Sequence, residues 1–141
     1  MTDEKDVLSV EDDDILGVVG DNPPILPPLV KEVVALCKTI SLKSYRGIWG
    51  HRYVFTMQVV KPDQFMGVKL VMYAPWREEW KTLPVKSKLW KLARRATGGP
   101  FKGRPKITKS LFVGKLFRCL VRLDENGDYT VIDTIIERVT L

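Results

Sequence analysis

The run HRYVFTMQVV, from His51 to Val60, sets Tyr53, Phe55, Met57 and Val59 in alternation with Val54, Thr56, Gln58 and Val60. A repeat of two places successive side chains on opposite faces of a pleated strand, whereas the same residues wound into a helix would scatter their aromatic rings around its circumference. This stretch is therefore extended. An extended stretch needs neighbours, because its backbone N–H and C=O groups find no partners within the strand itself. Pro62 brings no amide hydrogen and closes the run.

Neighbours are present on both sides. From Thr39 the chain is again extended through ISLKSYRG, and GIWG supplies the turn into the long strand. After the Gly67 turn, VKLVMYA (Val68 to Ala74) reads as a third strand, Leu111 to Leu123 as a fourth and YTVIDTIIERV as a fifth. The DENGD sequence between the last two contains Asn126-Gly127, a pair suited to a two-residue type I′ hairpin, whose central residues both need positive φ. Between the third and fourth strands the period changes. Val85, Leu89, Leu92, Ala93 and Ala96 recur at helical spacing, with Thr82 placed to cap, Pro84 tolerated in a first turn and Gly98-Gly99 ending the helix. Leu29 to Cys37 suits either a short helix or a strand, and periodicity does not choose between them. The resulting order, three strands, a helix and two strands, is that of the five-stranded Greek-key barrel called the OB-fold. The expected class is mainly β with one helix, the helix lying between strands three and four.

With 141 residues, 45% of them apolar, the chain can bury one core. No apolar run approaches the roughly 20 residues that cross a bilayer. The N-terminus MTDEKDVLSVEDDD is acidic, where an export signal is basic and then apolar, so a cytoplasmic protein is expected. Cys37 and Cys119, with the single His51, fall short of a four-ligand zinc set and are expected to be buried thiols in a reducing compartment. No cofactor is implied.

Charge divides the chain. The net charge is +6, yet residues 1–21 hold eight acids against Lys5 and sum to −7, which leaves +13 for the remainder. Residues 77–118 alone carry thirteen Lys and Arg against Glu78 and Glu79, a local balance of +11. The first 21 residues lack aromatics, and NPPILPPL (Asn22 to Leu29) then sets four prolines in six positions, an extended spacer. Residues 1–29 are thus expected to be an acidic, disordered tail with its Pro-rich spacer, and 30–141 the folded domain. Cations packed this densely favour a polyanion as partner over a merely solubilising surface.

The stretch GGPFKGRPKITKSLFVGK, Gly98 to Lys115, shows what those cations could contact. A Walker loop needs G-x-x-x-x-G-K-[ST]; here Arg104 and Pro105 stand where Lys and Ser or Thr belong, and the stretch follows a helix instead of opening one. Lys102, Arg104, Lys106 and Lys109 instead suit contacts to a phosphate backbone, which flexible cations can follow without reading sequence. Lys88, Lys91 and Arg95 share one side of the expected helix, a solvated face or the border of a groove. Arg46 and Arg52 add charge to the first hairpin, and Arg118 is expected to look outward from the fourth strand, opposite Phe117, Cys119 and Val121. Bases stack on exposed rings for roughly 1–3 kcal/mol each without sequence preference. Trp49, in a glycine-flanked turn, and Trp76, after the third strand, are the expected platforms; Trp80, Trp90 and Phe101 are expected to pack internally.

The segment from Arg46 to Val139 resembles small OB-fold, single-stranded DNA-binding-like proteins of bacteriophages and mobile elements. The likeness lies in YVFTMQVV, the GVKL turn, KLWKLARRATGG, LFVGKLFRCLVR and the closing Y-x-V-I strand, about two-thirds of the chain. It implies binding to single strands during replication or recombination, with the sheet as platform.

Catalytic readings find less support. Asp124, Asn126 and Asp128 echo the start of a calcium loop, but Tyr129 replaces the required Gly and Ile135 the bidentate Glu. Asp12, Asp13 and Asp14 lie in the tail, without the preorganisation that two-metal chemistry demands. The expected function is non-enzymatic binding of single-stranded DNA or RNA, with self-association a further expectation. The alternative is an interaction or inhibitor module of a mobile element that meets an acidic protein. The tail's EDDDIL resembles the acidic tips through which bacterial single-strand-binding proteins recruit partners; it could equally shield the basic groove or only solubilise the chain.

Overall fold

The computed structural model describes residues 22–44 and 50–140, together with 16, 17 and 20. The expectations for Arg46, Trp49 and the acidic residues Asp3 to Asp14 lie outside the described residues. The architecture is mainly β. Strands β1 (Glu32–Ser44), β2 (His51–Lys61), β3 (Lys69–Trp76), β4 (Leu116–Leu123) and β5 (Thr130–Val139) form one open antiparallel sheet, in the order β3-β2-β1-β4-β5. The helix α1 (Lys88–Thr97) follows β3 in the chain. No helix among the described residues is long and apolar enough to cross a membrane.

Bulges curl the sheet. On β1, Cys37 pairs with Met57 and Thr39 with the adjacent Thr56, so Lys38 is an extra residue. The extra residue shifts the alternation by one: Val33, Ala35 and Cys37 are buried before it and Ile40 after it. The structure places most of the ambiguous Leu29 to Cys37 segment in β1, where Val33, Ala35 and Cys37 alternate toward the core. On β5 the pairings Arg118 to Glu137, Cys119 to Ile135, Leu120 to Thr134 and Val121 to Ile132 leave Ile136 and Asp133 as extra residues. Each bulge increases the local twist. The edge strands β3 and β5 consequently come into contact, with no hydrogen-bonded ladder between them, and the sheet wraps into a barrel-like shape.

The wrapped face is the core. Phe55, Met57, Val59, Leu70, Met72, Phe117, Cys119 and Ile135 are buried there, and Leu89, Leu92, Ala93 and Ala96 of α1 pack onto it from β5 and β3. Phe112, from the turn before β4, sets its ring edge-on to Phe55 at 5.1 Å and 86° and lies 6.2 Å from Phe117.

Several boundaries differ from expectation, each for a local reason. The helix begins at Lys88 and not near Thr82, because Ser87 caps it: its hydroxyl accepts the Trp90 N–H at 3.2 Å and donates to Pro84 O at 2.7 Å. Val85 therefore lies outside the helix and is 63% exposed. The helix end is as expected, with Gly98 in the left-handed region at φ 79°. Lys109–Leu111 form a single 3-10 turn, and β4 starts only at Leu116. The Asn126-Gly127 pair does not make a two-residue hairpin. Gly127 N–H bonds Asp124 O, so Glu125 and Asn126 are the central pair; a wider loop is closed by Asp124 N–H to Tyr129 O at 2.8 Å. The Asp124 carboxylate holds that loop by accepting from the N–H groups of Asp128 (2.6 Å) and Tyr129 (3.2 Å). Packing also extends N-terminal of residue 30. Leu26 is buried in the core and its N–H donates to Thr130 Oγ1 at 2.8 Å, while Thr130 N–H bonds Pro24 O.

Candidate nucleic-acid interface

At the β2–β3 end of the barrel the inward-facing residues turn from aliphatic to aromatic. Tyr53 pairs with Ala74, and His51 pairs with Trp76 at the close of β3. These rings are half-buried. His51 is held on both ring nitrogens, by Ser44 Oγ at Nδ1 (2.7 Å) and Glu78 Oε1 at Nε2 (3.0 Å). Its ring in turn lies 5.3 Å from Trp76, and Tyr53 meets the same indole nearly edge-on at 6.4 Å. Trp76 is thus oriented by its neighbours, as a stacking platform requires.

Two clefts meet at Trp76. One, of about 730 Å³, runs between the start of α1 and the loop after it. Tyr53, Trp76, Trp90 and Phe101 supply its rings, Trp90 and Phe101 standing edge to face at 5.4 Å and 87°. Lys81, Arg104 and Lys106 supply its charge, all three exposed, and no Asp or Glu lines it among the described residues. A smaller hollow of about 150 Å³ continues past Tyr53 and Ile107 to Lys109. Cations along rims and rings along walls are the two components of a site for single strands, one for the phosphates and one for the bases.

The second cleft, about 810 Å³, opens on the other side of Trp76 and includes Arg52, Tyr73, Lys88 and Arg122. Arg52 lies over the Tyr73 ring, its Cζ 4.4 Å from the centroid.

The expected residues therefore separate. Arg104 and Lys106 line the groove with Trp76, and Lys109 lies at its extension. Lys88 and Arg52 belong to the other cleft. Lys91 and Lys102 are exposed and line neither. Arg95 is exposed like Lys91, but its guanidinium is engaged: Nη1 donates to Thr134 Oγ1 at 2.8 Å and Ile135 O at 3.1 Å, tying α1 to β5. Arg118 points outward as expected but is taken by two carboxylates, Glu32 at 2.7 Å and Glu137 at 3.0 Å. A cation already paired twice offers little to a phosphate.

Four charged or aromatic groove residues were not singled out by sequence as contact residues: Tyr53, Lys81, Trp90 and Phe101. Trp90 follows the buried Leu89 on α1, at the border of its apolar stripe, and Phe101 lies just beyond the helix-ending glycines. Aromatics at such borders are half-buried by construction, which is the one signal available without coordinates. The sequence matches no protein-family model and shows no significant similarity to curated proteins.

Proposed function

We propose that this chain is a non-enzymatic OB-fold module that binds single-stranded nucleic acid in the groove between α1 and the loop that follows it. The observation that carries the reading is the acid-free groove itself, in which four rings and three exposed cations come together from β2, β3, α1 and the two loops flanking α1. The strand order and the contact between β3 and β5 support the OB assignment, because that barrel is a five-stranded sheet rolled until its edges approach. Bases would stack on Trp76 and its neighbours while Lys81, Arg104, Lys106 and Lys109 follow the backbone. Such a site tolerates any sequence, since every base presents a π-face. Replication or recombination of a phage or mobile element is the setting the sequence resemblance suggests.

The test is a fluorescence-anisotropy titration with single-stranded DNA, single-stranded RNA and duplex of one sequence. Saturable, salt-sensitive binding that prefers a single strand and quenches Trp emission is the expected result. Absence of binding at low salt would overturn the reading and direct attention to an acidic protein partner for the same cations.

A further inference from the structure

The small hollow that joins the groove differs from it in chemistry. Its floor belongs to the core: Ile40, Phe55, Leu89 and Phe112 line it and are all buried, and the half-buried Tyr53 and Ile107 complete its walls. The bulge at Lys38 turns Ile40 inward, and the Lys109–Leu111 turn delivers Phe112 edge-on to Phe55. Besides the Tyr53 phenol, polar side chains reach the hollow from two adjacent exposed positions, Thr108 and Lys109. The Thr108 hydroxyl shares one hydrogen bond with Ser110 Oγ at 2.8 Å and has capacity for another.

Protein interiors leave few voids larger than a water molecule. The hollow, at about 150 Å³, is about five times a water's share of the liquid. Apolar walls order such water poorly, so an apolar occupant that displaces it is favoured. The volume also limits what can enter, since a cavity of about 150 Å³ lined by Leu, Ile and Phe takes up a single benzene ring. Tyr53, Leu89 and Ile107 line both the hollow and the groove, so a strand in the groove passes the hollow's mouth.

From this geometry we infer that the hollow is a pyrimidine pocket, into which one six-membered base of a strand bound in the groove inserts past Tyr53 and Ile107. The inference rests on the single-strand reading above and deepens it: stacking along the groove is indifferent to sequence, whereas the hollow reads one position. The base enters by its C5–C6 edge, which carries no hydrogen-bonding group. C2 and N3 then face the mouth, where the Lys109 ammonium donates to O2 and the Thr108 hydroxyl serves N3; buried without partners, that edge would oppose insertion. A C5-methyl group adds apolar contact at the floor, which favours thymine. A purine carries a second fused ring, for which the hollow has no room.

The experiment is fluorescence anisotropy with the full chain and labelled oligothymidylate, oligodeoxyuridylate and oligodeoxyadenylate of equal length. Oligothymidylate is expected to bind about tenfold more tightly than oligodeoxyadenylate, the worth of one well-held base. It should exceed oligodeoxyuridylate by about fourfold, the effect of one buried methyl group. Thr108→Tyr sets a ring at the mouth from an exposed position and is expected to reduce the thymine-over-adenine preference to less than about twofold while adenylate binding persists. If that variant does not fold, 5-propynyl-deoxyuridine decides: the hollow cannot hold its longer substituent, so the strand should bind more weakly than oligothymidylate, whereas stacking on an open ring surface would make it bind more tightly. Equal affinities for thymidylate and adenylate overturn the inference and leave the groove standing, as do a preference that survives Thr108→Tyr and tighter binding of the propynyl strand. If no strand binds at low salt, the single-strand reading falls and this one falls with it.

Discussion

Removing the groove cations offers the most direct quantitative test. Lys81, Arg104 and Lys106 are exposed, and none makes a hydrogen bond or ion pair among the described residues, so changing all three to Ala leaves the core untouched. Each phosphate contact on a single strand contributes about 0.7 to the slope of log affinity against log salt. If all three engage phosphates, the triple variant loses about 2 from that slope. Between about 50 and 200 mM salt, the wild-type chain should then lose roughly 20-fold more affinity than the variant over the same range. The assay is anisotropy with a labelled oligonucleotide at four or five salt concentrations. Arg118→Ala is the matched control: it changes net charge by one, but at a guanidinium that Glu32 and Glu137 already engage. Its slope should stay within experimental error of wild type. A triple variant whose slope is unchanged would show that these cations do not engage phosphates, and an Arg118→Ala slope that falls as steeply per charge removed would show that net charge and not the groove governs binding.

Other outcomes follow from the packing and from the thiols. Phe112→Ala deletes a ring enclosed by Phe55 and Phe117 and should cost about 3–5 kcal/mol in denaturant unfolding; a loss under about 1 kcal/mol would mean that the ring is not part of the core. Gly98→Ala meets open space around its new methyl group, so only the left-handed backbone at φ 79° opposes it. A destabilisation of about 1 kcal/mol is expected, and none at all would contradict that conformation. Burial pushes the Cys37 thiol up to about 11, and burial together with Cys37 pushes Cys119 up to about 12, against an ordinary value of 9.0. Because both folded-state values are raised, the thiols' contribution is intact below the unfolded value of 9.0 and is lost as pH climbs through about 11 and 12. The denaturation midpoint should fall across that alkaline window, and less steeply in the Cys37→Ala, Cys119→Ala double variant; identical slopes would refute the assignment.

Local pattern was enough to read the strands where a face alternates without interruption, as in His51 to Val60. It was enough for the end of α1, because a left-handed residue after a helix is a backbone requirement that Gly meets wherever the chain goes. It was not enough at Lys38, Asp133 or Ile136, where an extra residue breaks the period for the sake of curling the sheet. Nor did it locate the start of α1: Thr82 and Ser87 are both able caps, and packing of Leu89 against the sheet decides between them.

The sequence by itself determined that this chain is mainly β with one helix, and that its cations lie between residues 77 and 118, since both depend only on residue types and their spacing. Tertiary structure alone decided which cations are available. Arg95 and Arg118 are occupied by groups 40 and 86 residues away in the chain, while Arg104 and Lys106 are brought beside Tyr53 and Trp76. Charge is a property of a residue, but whether that charge is already neutralised depends on what the fold sets against it.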